Sequence, residues 1–231
     1  MVKPPTESDT WRYENKFIIP YDFQKDIYYE LAMHPARFTE IYEQRYVNNI
    51  YLDEVDYRFY HENAAGIANR KKIRVRWYGD LYGHVSAKLE IKMKRNLVGS
   101  KQNSVIPNFT FWDKTSVFEI KKQLTNIAMP EGILKQSLTC LEVVLLNRYS
   151  RRYFLSFDKK FRITIDEGIC YYGMNNLGAV SESISAKDPD MVLELKYDKE
   201  HAPFAEQIST LFPFRVTKNS KYMRGIECTC F

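Results

Sequence analysis

Apolar residues recur at every second position in some stretches of the chain and at every third or fourth in others, and this change of period predicts the order of strands and helices. Residues 12–19 read as a first strand. Pro20 then opens a helical stretch in which Phe23, Ile27 and Leu31 stand four apart. Residues 46–52 predict a second strand. Residues 71–78 and 85–94 predict a hairpin whose short polar turn is bracketed by Gly79 and Gly83. Val117, Ile120, Leu124 and Ile127 form one stripe of a helix over residues 115–127. Strand patterning resumes over 141–155, a run long enough to be expected to bend or break, then over 161–166 and 192–197. A last helix is expected near 203–211, followed by a segment rich in lysine and arginine. Strands dominate, so the expected class is α+β: a large antiparallel sheet or β-barrel with helices packed on its outside.

The polar positions of these strands are ionic to an unusual degree. In 71–78, Ile73, Val75 and Trp77 share one face while Lys72, Arg74 and Arg76 share the other. In 85–94, Leu89, Ile91 and Met93 oppose Lys88, Glu90, Lys92 and Lys94. Glu14 and Lys16 alternate with Asn15 and Phe17, Arg162 and Asp166 with Ile163 and Ile165, and Glu194 and Lys196 with Leu193 and Leu195. A solvated polar face explains any one of these strands. Three cations in a row are harder to explain that way, because they repel one another unless an anion lies among them. Were the sheet to close with the ionic faces inward, the lumen would be a basic channel fitted to a linear polyanion. Its few carboxylates would then be explained by a divalent metal shared with phosphate.

Composition narrows the field further. The net charge of +5 is modest, so its distribution matters more than its sum. No stretch is apolar enough for a membrane span or a signal peptide, and a cytoplasmic location is expected. Cys140, Cys170, Cys228 and Cys230 show no CxxC spacing and are expected to be reduced thiols. The four histidines are scattered, which argues against histidine ligation of metal, and neither GxxxxGK[ST] nor GxGxxG occurs. Tyr78, Tyr149, Tyr153 and Tyr197 could stack on a base, though core and rim roles are the commoner use of tyrosine. Residues 1–10 are polar and expected to be a disordered tail, leaving 11–231 as one domain.

Seven segments in order, RYENKF at 12–17, RKKIRVRWYG at 70–79, LEIKMK at 89–94, YSRRYF at 149–154, RITID at 162–166, LELKY at 193–197 and TKNSKYMRG at 217–225, carry a resemblance. Together they resemble the VTC-domain polyphosphate polymerases, within the triphosphate tunnel metalloenzyme (CYTH-like) superfamily. The resemblance implies a β-barrel tunnel holding the triphosphate of ATP and a growing chain. It implies phosphate contacts from Lys16, Arg74, Arg76, Lys92, Arg151, Arg162, Lys218, Ser220 and Lys221, with Arg148 and Lys94 less clearly placed. It makes Glu194 the principal ligand of a Mn2+ or Mg2+ ion, with Glu90 and Glu14 facing the same way. The implied catalytic set is Lys16, Arg74, Arg76, Lys92, Arg151, Arg162 and Glu194. Asp166 could help to hold the metal, but it is expected instead to pair with an arginine or to stop its strand at the turn of Glu167 and Gly168.

One position departs from the superfamily pattern. The hydrolases carry ExExK on the first strand, and here the first of those glutamates is replaced by Arg12. That favours ATP-driven synthesis of polyphosphate, primed by pyrophosphate or a short chain, over hydrolysis, which stays open as an alternative. A non-catalytic polyanion-binding module is a third reading, and nucleic acid is not the expected partner. The sensing domain and transmembrane helices of membrane-bound relatives are not in this sequence, which is expected to be the polymerase module.

Overall fold

A computed structural model describes residues 12–95, 98–125, 127, 138, 140–174 and 180–230; the expected tail over 1–10 and the side chain of Arg12 lie outside what it describes. In chain order the elements are β1 (Arg12–Ile19), α1 (Asp26–Met33), β2 (Thr39–Asp53), α2 (Arg58–Ala64), β3 (Asn69–Tyr78), β4 (Gly83–His84), β5 (Ala87–Arg95), β6 (Val98–Ile106), β7 (Thr110–Phe111), α3 (Val117–Thr125), β8 (Glu142–Leu155), β9 (Phe161–Met174), β10 (Val180–Lys187), β11 (Met191–Asp198), α4 (Ala202–Thr210), β12 (Val216–Thr217) and α5 (Lys221–Thr229). They form two compact units interleaved along the sequence. The first takes Met1–Gln44, Ser150–Gly168 and Pro189–Asn219, and the second takes Arg45–Tyr149, Ile169–Asp188 and Ser220–Phe231. The long strands β2, β8 and β9 contribute residues to both.

In the first unit, β12, β1, β11 and β9 lie side by side and antiparallel. Strand alternation sends Phe17 and Ile19 of β1, Ile163 and Ile165 of β9, and Leu193 and Leu195 of β11 into one core with Ile27 and Leu31 of α1 and Ala205 and Ile208 of α4. Ile27 and Leu31 of the four-residue spacing read in the sequence are therefore the buried stripe of α1, while Phe23 precedes the helix and is exposed. Asn15 donates to Ser209 Oγ at 3.0 Å and ties β1 to α4.

In the second unit, β2, β3, β5 and β6 form an antiparallel run. Ile73, Val75 and Trp77 of β3 and Leu89 and Ile91 of β5 share a core with Ile120 and Leu124 of α3. The expected hairpin is present, with Arg74 opposite Glu90, and Gly79 takes a φ of +90° where the chain leaves β3. Gly83 and His84 pair with β7 instead of extending β5. Two acceptor residues organise this unit's helices. Asp53 accepts backbone N–H bonds from Phe59 at 2.8 Å and Tyr60 at 2.9 Å at the start of α2, and also the hydroxyl of Tyr222 in α5. Ser220 caps α5 by accepting from Met223 N–H at 3.4 Å. A side chain at Gly225 would collide with Leu145 and Tyr171, so α5 packs this closely only with glycine there.

Several boundaries differ from the sequence reading. β8 is one unbroken strand, and β2 begins seven residues earlier than expected, at Thr39. β9 continues to Met174 through Gly168 at φ +59°, so Asp166 does not end it. The strands β4, β6, β7, β10 and β12 and the helices α2 and α5 were not foreseen. The architecture is α+β and mainly antiparallel; among the described residues no ladder closes the strands of either unit into a barrel. No helix among them is long and apolar enough to cross a membrane.

Candidate active site

In the first unit the ionic face is built from two register rows. One runs Thr217, Lys16, Glu194, Thr164 across β12, β1, β11 and β9, and the next runs Glu14, Lys196, Arg162 across β1, β11 and β9. Lys16 Nζ lies 3.3 Å from Glu14 Oε1, and Lys196 Nζ lies 3.5 Å from Glu194 Oε1. On β8, Arg151 grips Asp166 with both arms of its fork, Nε to Oδ1 at 2.5 Å and Nη2 to Oδ2 at 2.7 Å, and Asp166 is fully buried. Asp166 thus pairs with an arginine, the first of its two expected roles.

Burial alone would raise the pKa of Glu194. Lys196, a hydrogen bond with Glu14, Lys16 and Arg151 overcome it and hold the carboxyl well below the usual range. Lys16 is shifted upward: burial works against its charge, but Glu194 and Glu14 outweigh that. Lys196 is shifted downward by burial, opposed by Glu194 and reinforced by the positive charge of Arg151. Arg162 and Lys218 are exposed, and Lys16 also donates to the carbonyl of Asn219 at 3.2 Å.

In the second unit the ionic face has one carboxylate amid cations. Glu90 Oε2 receives Arg74 Nη2 at 2.6 Å and lies 3.6 Å from Arg76 Nη1, while its Oε1 receives Lys101 Nζ at 2.8 Å. Burial pushes the Glu90 carboxyl up, yet Arg74, Arg76 and Lys101 bring it down to about 2. Arg76 Nε donates to Asn49 Oδ1 at 2.7 Å, and Asn49 donates in turn to Asn147 Oδ1 at 2.8 Å. Lys72, Lys92 and Lys101 stand directly opposite one another on β3, β5 and β6. Lys72 Nζ donates to Ser220 Oγ at 2.9 Å, and the Lys221 ammonium lies 4.7 Å from the Tyr149 ring centre. Arg148 stacks 4.0 Å over the Tyr46 ring, and Lys94 stands opposite Arg70.

The sequence-predicted residues therefore gather on two faces. Glu14, Lys16, Arg151, Arg162, Glu194 and Lys218 belong to the first unit, and Arg74, Arg76, Glu90, Lys92, Ser220 and Lys221 to the second. Sequence reasoning missed Lys101, because GSKQNS at 99–104 is polar and reads as a loop until its pairing with β5 is seen. It also left out Lys196 and Asn49, although period-two alternation already put Lys196 beside Glu194.

The donor sets of the two faces suit different ligands. Both oxygens of Glu90 are occupied by cations. Glu14 and Glu194 are diagonal neighbours on β1 and β11, each beside a lysine, and a divalent ion suits two carboxylates placed in this way. No group of three or more His, Cys, Asp or Glu that could hold a metal occurs among the described residues. A cation here would take its remaining ligands from phosphate and water, as Mg2+ commonly does.

A family model described as the VTC domain matches residues 11–230. No curated protein matches the sequence. Among solved structures the chain is similar to a candidate adenylate cyclase from Vibrio parahaemolyticus, with TM-score 0.52 and 12% identity over 93% of this chain and 98% of that one. It is also similar to a candidate adenylyl cyclase from Hippeastrum, HpAC1, described as having a dominant triphosphatase activity, with TM-score 0.53 and 11% identity over 93% and 95% of the two chains. At these identities the likeness is one of fold.

Proposed function

Since the chain belongs to the VTC domain family, we propose that it is a metal-dependent polyphosphate polymerase that transfers the γ-phosphate of ATP to a growing inorganic chain. The observation that carries this reading is the first unit's face, where Glu194 and Glu14 meet among Lys16, Lys196 and Arg151. Cations alone would only bind a polyanion; cations with a close carboxylate pair suit a metal–triphosphate. The closed tunnel that the resemblance implies is part of the proposal.

Lys16 and Arg151 hold oxygens of the triphosphate, with Arg162 and Lys218 reaching it from more exposed positions. Asp166 fixes the Arg151 fork in one orientation, so that its charge is in place before the phosphoryl group moves. Glu194 and Glu14 would hold Mn2+ or Mg2+, which would supply positive charge to the phosphate oxygens. The terminal oxyanion of phosphate, pyrophosphate or polyphosphate attacks the γ-phosphorus, the bond to the β-bridging oxygen breaks, and ADP leaves. Arg74, Arg76, Lys92, Ser220 and Lys221 bind chain phosphates, and Glu90 serves them by spacing the arginines. Four cysteines outside any disulfide support a cytoplasmic location.

Purified protein given ATP, Mn2+ and a short polyphosphate primer should release ADP and build a ladder of longer chains. A second reading, triphosphate hydrolysis at the same residues, is supported by the activity described for the Hippeastrum protein. Free phosphate without a ladder would select it, and ATP binding without turnover across several metals would select a binding module.

A further inference from the structure

Four buried side-chain polar atoms have no hydrogen-bond partner among the described residues: Asn48 Oδ1, Asn147 Nδ2, Thr164 Oγ1 and Thr217 Oγ1. Buried polar atoms are paired in the great majority of cases, so each exception asks for a reason. Two of the four are the ends of a single row, Thr217, Lys16, Glu194, Thr164. Thr164 lies between Ile163 and Ile165 in β9, where valine would have the same shape and no orphaned hydroxyl. The hydroxyls sit on the ionic face beside a proposed phosphate lysine and a proposed metal ligand, and strand geometry points all four side chains the same way.

We infer that Thr164 and Thr217 are two further substrate-binding residues, whose hydroxyls donate hydrogen bonds to oxygens of the bound phosphates on either side of Lys16 and Glu194. The inference rests on the polyphosphate reading of this face. A neutral hydroxyl adds directionality where more positive charge would compete with Glu194 for the metal. It is also left without a partner until an anion arrives, which accounts for polar atoms that the empty face cannot satisfy.

This role has a signature that a structural hydroxyl lacks. Replacing Thr164 or Thr217 by valine removes an orphan, so the unliganded protein should melt at the same temperature or higher, while binding of the anion should weaken. Calorimetric titration with inorganic tripolyphosphate, with and without Mn2+, is expected to give about ten-fold weaker binding for Thr164→Val and for Thr217→Val, the loss expected for a hydrogen bond to a charged group. Thr164→Ser and Thr217→Ser keep the hydroxyl and should stay within about two-fold of the parent. Valine variants that bind like the parent, serine variants that bind as weakly as valine, or a lower melting temperature in the unliganded valine variants would each overturn the inference. Lys16→Ala separates the levels: if it weakens binding while the valine variants do not, only the threonine roles fall. If neither the parent nor any variant binds tripolyphosphate, the polyphosphate reading falls and the threonine roles with it.

Discussion

The two ionic faces arise from the same strand alternation yet differ in charge balance. In the second unit, Lys72, Arg74, Arg76, Lys92 and Lys101 share one carboxylate, Glu90, and two residues of that set stand directly across from a third of the same sign. In the first, Lys16, Arg151, Arg162 and Lys196 meet Glu14, Asp166 and Glu194, a nearly even match. A cation-rich face gains from any polyanion. A balanced one gains most from a ligand that brings both signs, as a metal–phosphate complex does. Under the proposed function, chemistry would belong to the first unit and retention of the chain to the second, a division that can be broken by moving charge on either side.

The largest effect should come from the balanced face. Glu194→Gln keeps size and removes the charge the metal needs, and ADP formation at saturating ATP and Mn2+ should fall by about a hundred- to a thousand-fold. Retention of more than half the parent rate would move the metal elsewhere. Next, Arg74→Ala and Arg76→Ala should each raise the KM for primer by roughly ten-fold or more while changing kcat much less, since their contacts hold substrate and transition state alike. An equal fall in kcat would erase the division between the faces.

The third expectation concerns stability. Glu90 titrates at about 2 in the fold against an ordinary 4.5, so the stability it confers is fully present above 4.5 and is lost as pH falls through about 2. That shift corresponds to on the order of 3 kcal/mol. Urea unfolding should therefore show parent and Glu90→Gln well separated at pH 6 and converging near pH 2, with tripolyphosphate restoring much of the variant's loss at pH 6. A gap independent of pH would mean that Glu90 acts through packing. Smallest of all, Lys92→Met, at an exposed position, should weaken tripolyphosphate binding by only about two- to five-fold and flatten its salt dependence.

The sequence carried the ionic faces because period-two alternation is a local property. Lys72, Arg74 and Arg76 oppose Ile73, Val75 and Trp77 whatever lies beside them, and Glu194 and Lys196 follow the same rule. It did not carry what depends on pairing. Lys101 enters the Glu90 cluster only through the register of β5 with β6, and Thr217 meets Lys16 only through a strand of two residues. The start of β2 was illegible for another reason: residues 39–46 are exposed and show no apolar period. α5 reads as part of a basic tail, since Lys221 and Arg224 mask the buried positions Tyr222, Gly225 and Ile226.

The hydrogen bond of Tyr222 to Asp53 joins residues 169 apart in sequence, and both units are assembled from three separated segments. During synthesis, then, neither unit is complete early: the first core waits for Phe212, and the second unit waits for α5, which packs on Leu145 and Tyr171. A nascent chain that stalls before residue 212 carries an incomplete first core, and one that stalls before residue 220 also lacks Ser220, Lys221 and the rest of α5. Such a chain would be a client for chaperones before it could be a catalyst.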